Sequence, residues 1–363
     1  MNSALPIGRL GRVRLVAVAI IAMVVIAVAL AVWLVRSGGA GRGGVYVEGS
    51  PEAALEDISR AVAKVAPAVV RIDTTAGGGP EDVLRGFFGG SPEGIFPRRG
   101  QGSGVIINRR RGYVLTNAHV VRDARRISVA LPDGRVFEGN LLGADAVTDI
   151  AVVQIKGGDL PEVELGSSEK LPVGSWVIAV GSPFALENTV TAGVVSAKGR
   201  TIVGEGRVAV TDLLQTDAAI NRGNSGGALI DLRGQVVGMP TAIVPFAQGI
   251  GFAVASDTAM RVVPELVDKG RVSHAWLGIA YKEAPDEGGV VLEQVMRDSP
   301  AARAGLEPDD VIVAMAGKQI RRRDDVARVM HTKRARDKLE LTILRGGARR
   351  TINVVLAEMP RFQ

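Results

Sequence analysis

Between residues 102 and 254 the chain is a succession of short runs rich in Val, Ile, Leu and Thr, broken at close intervals by turn residues such as those at 108–112, 132–134 and 231–234. Runs of that length bounded by Gly, Pro, Asn and Asp read as strands joined by tight turns, and so many in succession predict a pair of β-barrels. A helical spacing of apolar residues over 55–66 precedes them and leads into a first strand at Ala68-Val69-Val70-Arg71-Ile72. Residues 256–269 predict a helix closed by Gly270, with Pro264 inside it costing one backbone hydrogen bond. Residues 76–101, rich in Gly and Pro, are too long for an ordinary turn and are expected to form a mobile loop.

Upstream, residues 15–35 form an unbroken apolar run of 21 residues. As a helix it is about 31 Å long and matches a hydrocarbon core of about 30 Å, so one transmembrane helix is expected there. Arg9, Arg12 and Arg14 precede it without an acidic residue, which keeps residues 1–14 cytoplasmic and carries the rest across; Arg36 and Arg42 offset part of that bias. A cleaved signal peptide is the rival reading. Ala27-Val28-Ala29 and Ala29-Leu30-Ala31 have the spacing of cleavage sites, although the apolar core of such a signal normally runs only about 7 to 15 residues. An Arg-rich, acid-poor start also fits an organelle transit peptide. The expected setting is a bacterial inner membrane, crossed once, with the remaining chain in the periplasm. Residues 36–54, rich in Gly and Ser over 37–51, are expected to be a flexible tether.

Apolar residues make up 47% of the 363, enough for two or three cored domains. Cysteine is absent, which excludes disulfides, a thiolate nucleophile and any Cys-based zinc or iron–sulfur site. Three scattered histidines and no His-Glu-x-x-His pattern offer no ligand set, so neither a metal nor another cofactor is expected. Residues 318–350 carry a basic excess, but no aromatic residue lies among them to stack on bases. A solvated face, or attraction to anionic lipid or peptide, explains the charge without nucleic acid.

The chemistry concentrates in Asn221-Arg222-Gly223-Asn224-Ser225-Gly226-Gly227. Its glycines permit backbone angles that other residues resist, so the loop can hold the Ser225 hydroxyl against a carbonyl carbon. The N–H groups of Gly223 and Ser225 would then converge on the oxygen that becomes negative, as an oxyanion hole. A serine hydroxyl is a weak nucleophile and needs a base. His274, in what reads as a domain connector, and His331, among basic residues, fit poorly. His119, in the short β-rich run Tyr113-Val114-Leu115-Thr116-Asn117-Ala118-His119-Val120-Val121, fits best. A carboxylate should orient the imidazole, and Asp149, opening the apolar strand Ile150-Ala151-Val152-Val153, is the first choice, with Asp145 the runner-up. The order His119, Asp149, Ser225 is that of chymotrypsin-type serine proteases.

Leu115-Thr116-Asn117-Ala118-His119-Val120-Val121, Thr148-Asp149-Ile150-Ala151 and the segment from Gln215 to Gly227 together resemble the HtrA family of serine proteases. The resemblance extends to Thr189-Val190-Thr191-Ala192-Gly193, to Gly249-Ile250-Gly251-Phe252-Ala253-Val254 and to a C-terminal PDZ-like segment, and covers most of residues 55–357. It implies a mainly β chain with a chymotrypsin-like double β-barrel protease domain at 55–256. A linker helix at 257–271 and an α+β PDZ domain at 272–357 would follow. One transmembrane segment with one PDZ domain is similar to the membrane-anchored, DegS-like branch. Met239-Pro240 departs from the family's usual apolar residue and Asn.

In the PDZ-like segment, Trp276-Leu277-Gly278-Ile279 is followed by Ser299-Pro300-Ala301 and Asp309-Asp310-Val311-Ile312. The amides of Leu277, Gly278 and Ile279 would receive a peptide's C-terminal carboxylate, and the adjacent strand edge would pair with that peptide. The resemblance further implies a homotrimer, a regulatory loop within 76–101 to which Phe87, Phe88 and Phe96 belong, and a relay role for Arg200 in a loop after Thr-Val-Thr-x-Gly. Ala219, six residues before Ser225, would floor the S1 pocket and favour small or medium aliphatic side chains in unfolded or membrane-protein substrates. A proteolytically silent PDZ chaperone or scaffold is the alternative function.

Overall fold

The computed structural model describes residues 51–76, 98–182, 189–203, 209–221, 223–243, 249–284 and 288–360. The apolar run 15–35, the tether up to residue 50, and Phe87, Phe88 and Phe96 lie outside them. Among the described residues no helix is long and apolar enough to cross a membrane.

Helix α1 (Pro51–Val65) starts earlier than the apolar spacing suggests, so residues 51–54 of the expected tether are helical. Ala61 and Val65 of α1 are buried in the core of the first barrel.

Six strands close that barrel in the order β1-β2-β3-β6-β5-β4: β1 (Val69–Ala76), β2 (Arg98–Asn108), β3 (Tyr113–Thr116), β4 (Arg126–Ala130), β5 (Val136–Asp145) and β6 (Ile150–Ile155). Strand β2 begins inside the expected loop 76–101, because Ala76 pairs with Arg98 and the ladder continues to Val69 opposite Val105. Ile72, Ile106, Val114, Val129 and Val153 fill the interior, each worth about 1.5–3 kcal/mol when removed from water.

The second sheet comprises β7 (Glu164–Leu165), β8 (Trp176–Gly181), β9 (Thr189–Val203), β10 (Ala209–Thr216), β11 (Ala228–Ile230), β12 (Gln235–Ile243) and β13 (Gly251–Ala255). Their order is β11-β8-β9-β10-β13-β12-β7, and β11 also pairs with β12, so the path returns on itself. Pro240 sits in β12 beside a register shift, where a residue without an N–H interrupts the ladder least. Helix α3 (Ser256–Lys269) is terminated by Gly270 at φ 70°, whose N–H reaches Leu266 O at 3.0 Å. Val262 and Leu266 of α3 are buried among Leu115, Ile150 and Val152 of the first barrel and Leu213, Phe252 and Val254 of the second.

The C-terminal module contains β14 (Ala275–Trp276), β15 (Ile279–Glu283), β16 (Val290–Val295), β17 (Val311–Met315), β18 (Lys318–Gln319), β19 (Lys338–Arg345), β20 (Ala348–Val355) and β21 (Ala357–Glu358). Strands β15-β16-β17-β19-β20 form one sheet with β15 at its edge, and β14 pairs with β21. Its core of Leu277, Leu292, Ile312, Leu341 and Val354 is closed by Val326 and Val329 of a helix spanning Arg323–His331.

Candidate active site

The chain leaves β3 at Asn117, whose side-chain amide donates to Asp149 O at 3.0 Å while Ala118 N–H donates to the same oxygen at 3.1 Å. These bonds draw the backbone out of the ladder into α2 (Ala118–Val121). The expected β-rich run 113–121 is thus a strand only to Thr116, and His119 sits in the helical turn that follows. Asp149, just before β6, holds φ at 56°, a left-handed angle that aspartate tolerates better than most residues.

Asp149 is nearly enclosed, 6% exposed, and its carboxylate is fully engaged. Oδ1 accepts the backbone N–H of His119 at 3.0 Å, and Oδ2 lies 2.8 Å from His119 Nδ1. A carboxylate can only accept, so Nδ1 carries the hydrogen and Nε2 presents its lone pair. Thr241 of β12 also donates its hydroxyl to Oδ2. The imidazole itself is exposed, within reach of a bound substrate.

Ser225 lies in the turn between β10 and β11 and is partly buried. Gly226 holds φ 83°, and a Cβ there would sit 2.2 Å from Ser103 O, so only glycine fits beside Ser225. The Ser225 hydroxyl donates to Thr241 O at 3.5 Å and makes no hydrogen bond to His119. Catalytic hydrogen bonds are commonly long in substrate-free sites and tighten on binding. Among the described residues nothing accepts from the N–H of Gly223 or Ser225, which leaves both donors for an incoming oxygen. A hydroxyl, an oriented imidazole and two unpaired amides are the parts that acyl transfer requires.

Asp145 belongs to a different cluster. Its oxygens lie 2.9 Å from His274 Nε2, and Thr148 donates to it through both hydroxyl and N–H. Burial pushes the Asp145 carboxyl up, but His274 and Thr148 outweigh it and hold the group below the usual carboxylate range. His331 is half-buried at the junction of the barrels and the C-terminal module, against Thr211 and Arg261. Neither position of these two histidines was legible from their neighbours in the chain.

Ala219 is exposed, and its carbonyl accepts the Thr191 hydroxyl at 2.8 Å. Arg200 is not in a loop: it lies within β9 opposite Leu213, because the β9–β10 hairpin continues past a bulge. Its guanidinium donates to Gln215 Oε1 at 3.2 Å and lies 3.9 Å from Asp324. Asp324 belongs to helix α5 (Arg323–His331); the short helix α4 (Pro300–Arg303) precedes it. Helix α5 packs on β9 and β10 and also beside β15.

At the start of β15, Gly278 holds φ 83°, and a Cβ there would meet Ser299 at 2.2 Å. The carbonyls of Leu277 and Gly278 accept from Ala301 and Met296, whereas among the described residues nothing accepts from their N–H groups. Ile279 begins the edge strand, opposite Val295. Two free amides beside an open strand edge suit a carboxylate-terminated peptide. Thr241, Asn117 and Ser103 are site residues that the sequence did not disclose, since nothing in their local patterns marks them apart from ordinary strand and turn residues.

Residues 102–239 match the trypsin-like peptidase domain family and residues 273–356 match the PDZ domain family. A protein of Synechocystis sp. named as the serine protease HhoB is 42% identical over 80% of this chain and 77% of its own length. A Pseudomonas putida protein named as a DegP-like periplasmic serine endoprotease is 39% identical, covering 87% and 73% respectively. Among solved structures, the HtrA-type protease AlgW with a decapeptide superposes with a TM-score of 0.67 at 34% identity, over 84% of this chain and 99% of that one. A serine endoprotease from Yersinia pestis gives 0.62 at 32% identity, over 84% and 98%. Trypsin-like and PDZ domains in one chain, with relatives of this similarity along most of their length, place the protein in the HtrA family of serine proteases.

Proposed function

We propose that the protein is a periplasmic endoprotease, anchored in the inner membrane by residues 15–35, that cleaves unfolded or regulatory polypeptides, membrane proteins among them, by acyl transfer. Ser225 Oγ attacks the scissile carbonyl carbon while His119 Nε2 takes its proton. The amides of Gly223 and Ser225 hold the resulting oxyanion. His119 returns the proton to the leaving amine, and a water molecule then repeats the sequence to release the acyl group. Asp149 fixes the Nδ1–H tautomer throughout. The single observation that carries this reading is the 2.8 Å contact of His119 Nδ1 with a carboxylate that also accepts the His119 N–H.

Regulation is built on α5, which borders the peptide groove at β15 and rests on β9 and β10. A C-terminal peptide bound to the amides of Leu277, Gly278 and Ile279 shifts α5, and Arg200 passes the shift to the protease through Asp324 and Gln215. The Ser225 hydroxyl resting on Thr241 fits a site that awaits that signal. Domain limits of 55–256 and 272–357, a linker helix at 257–271 and a homotrimer complete the proposal. Ser225→Ala tests it: cleavage of an unfolded substrate is abolished, and persistence of the wild-type rate overturns the assignment.

A further inference from the structure

Ser103, in β2 of the first barrel, is fully buried yet lies against the nucleophile loop of the second. Its hydroxyl donates to Gly223 O at 2.6 Å and accepts the N–H of Ser182, at the end of β8, at 2.8 Å. Its own N–H donates to Ser225 O at 2.8 Å. Its carbonyl accepts the hydroxyl of Thr116, at the end of the strand that delivers His119, at 2.7 Å. One residue thus holds the carbonyls of Gly223 and Ser225, the two residues whose N–H groups are left without a described partner.

We propose that Ser103 is the positioning residue of the oxyanion hole, fixing the amide of Gly223 through a hydroxyl bond to its carbonyl. The inference rests on Ser225 being the nucleophile. Gly223, at φ 100°, has no side chain to restrict its φ and ψ, and its N–H and carbonyl lie in successive peptide planes, so anchoring the carbonyl limits the rotations by which the N–H can turn away. Ser103 Oγ is a strong donor in a fully buried place, and losing it strands both Gly223 O and Ser182 N–H. The loop then samples orientations in which the Gly223 amide no longer faces the developing oxyanion. An oxyanion donor acts chiefly in the transition state, so the loss falls on kcat rather than on substrate binding. The backbone bond from Ser103 N–H to Ser225 O survives substitution by Ala, Thr or Cys, which keeps the nucleophile itself in place.

The test compares wild type, Ser225→Ala, Ser103→Ala and Ser103→Thr. It measures kcat and KM per active site titrated with a fluorophosphonate, together with inhibition by a peptide boronate whose tetrahedral adduct places an oxygen in the hole. For Ser103→Ala the expected result is a kcat lower by about 10- to 100-fold with KM within about threefold. Boronate affinity weakens by the same factor as kcat/KM. Ser103→Thr, which keeps the hydroxyl, returns to within about fivefold of wild type. A per-site kcat within twofold in Ser103→Ala overturns the proposal, as does a loss confined to KM with boronate affinity intact, or an equal loss in the Thr variant. If Ser103→Ala gives no titratable sites, Ser103→Cys, with a weak donor of similar size, is judged by the same kcat and boronate criteria. Cleavage persisting in Ser225→Ala sinks the nucleophile assignment itself, whereas cleavage lost there but kept per site in Ser103→Ala sinks only the role of Ser103.

Discussion

Thr241 donates its hydroxyl to Asp149 Oδ2, the same oxygen that faces His119 Nδ1. The Asp149 carboxylate is therefore held from the second barrel as well as by the imidazole. A hydrogen bond to a charged group is worth about 1.5–3 kcal/mol. Thr241→Val preserves shape, removes that donor and leaves the backbone carbonyl beside Ser225 unchanged. Its kcat/KM should fall about tenfold, read from steady-state kinetics on titrated sites; an unchanged value would show that His119 alone suffices to orient Asp149.

Two carboxylates compete for the triad role, and their surroundings separate them. Asp149→Asn places an amide opposite Nδ1 and favours the wrong tautomer, so kcat should drop by roughly 10⁴ with KM little changed. Asp145→Asn touches only His274 and Thr148 and should leave kcat within a few-fold. Measuring both variants decides the matter, and comparable losses would reject Asp149 as the orienting group.

The barrel strands and the segments around His119, Asp149 and Ser225 were legible because short β-rich runs and glycine-punctuated turns are local properties of the chain. The position of Arg200 was not, since the β9–β10 ladder continues through a bulge that local residues do not announce. Thr241 and Ser103 were hidden for a related reason. Each is an ordinary strand residue until barrel closure brings it to a loop from the other barrel. His274 and His331 were likewise set aside on their sequence neighbours, and only the docking of the C-terminal module gives them partners.

If Ala219 floors the S1 pocket, a specificity prediction follows. Ala219 brings no carboxylate, and an apolar floor cannot pair a cation, so a peptide library should show cuts after Val, Ala or Leu. Mostly Lys or Arg before the cut sites would contradict this.

Coupling between peptide groove and protease should run through Arg200 and Asp324. Their ion pair is long and partly exposed, worth no more than about 1 kcal/mol. Asp324→Asn should therefore reduce the stimulation by a C-terminal peptide by up to about fivefold while leaving peptide affinity largely intact. Stimulation measured against peptide concentration gives both numbers, and a full wild-type stimulation would remove this pair from the relay.

His331 makes stability depend on acidity. Burial pushes its imidazole down to about 4, with Asp212 opposing that shift and Arg261 and His274 adding to it. In the unfolded chain a histidine titrates near about 6.5. Above that pH neither state binds the proton, and the group has no effect. Between about 6.5 and 4 the unfolded chain takes up a proton that the folded one refuses, so stability falls on acidification, by up to about 3 kcal/mol. His331→Gln cannot titrate and should flatten this part of the profile. Melting temperatures of both proteins in a Ser225→Ala background, from about pH 7.5 to 4.5, isolate the effect because the other titrating groups are shared. Parallel profiles would mean that His331 meets water in the folded state and that the α5 junction is looser than the Thr211 and Arg261 contacts imply.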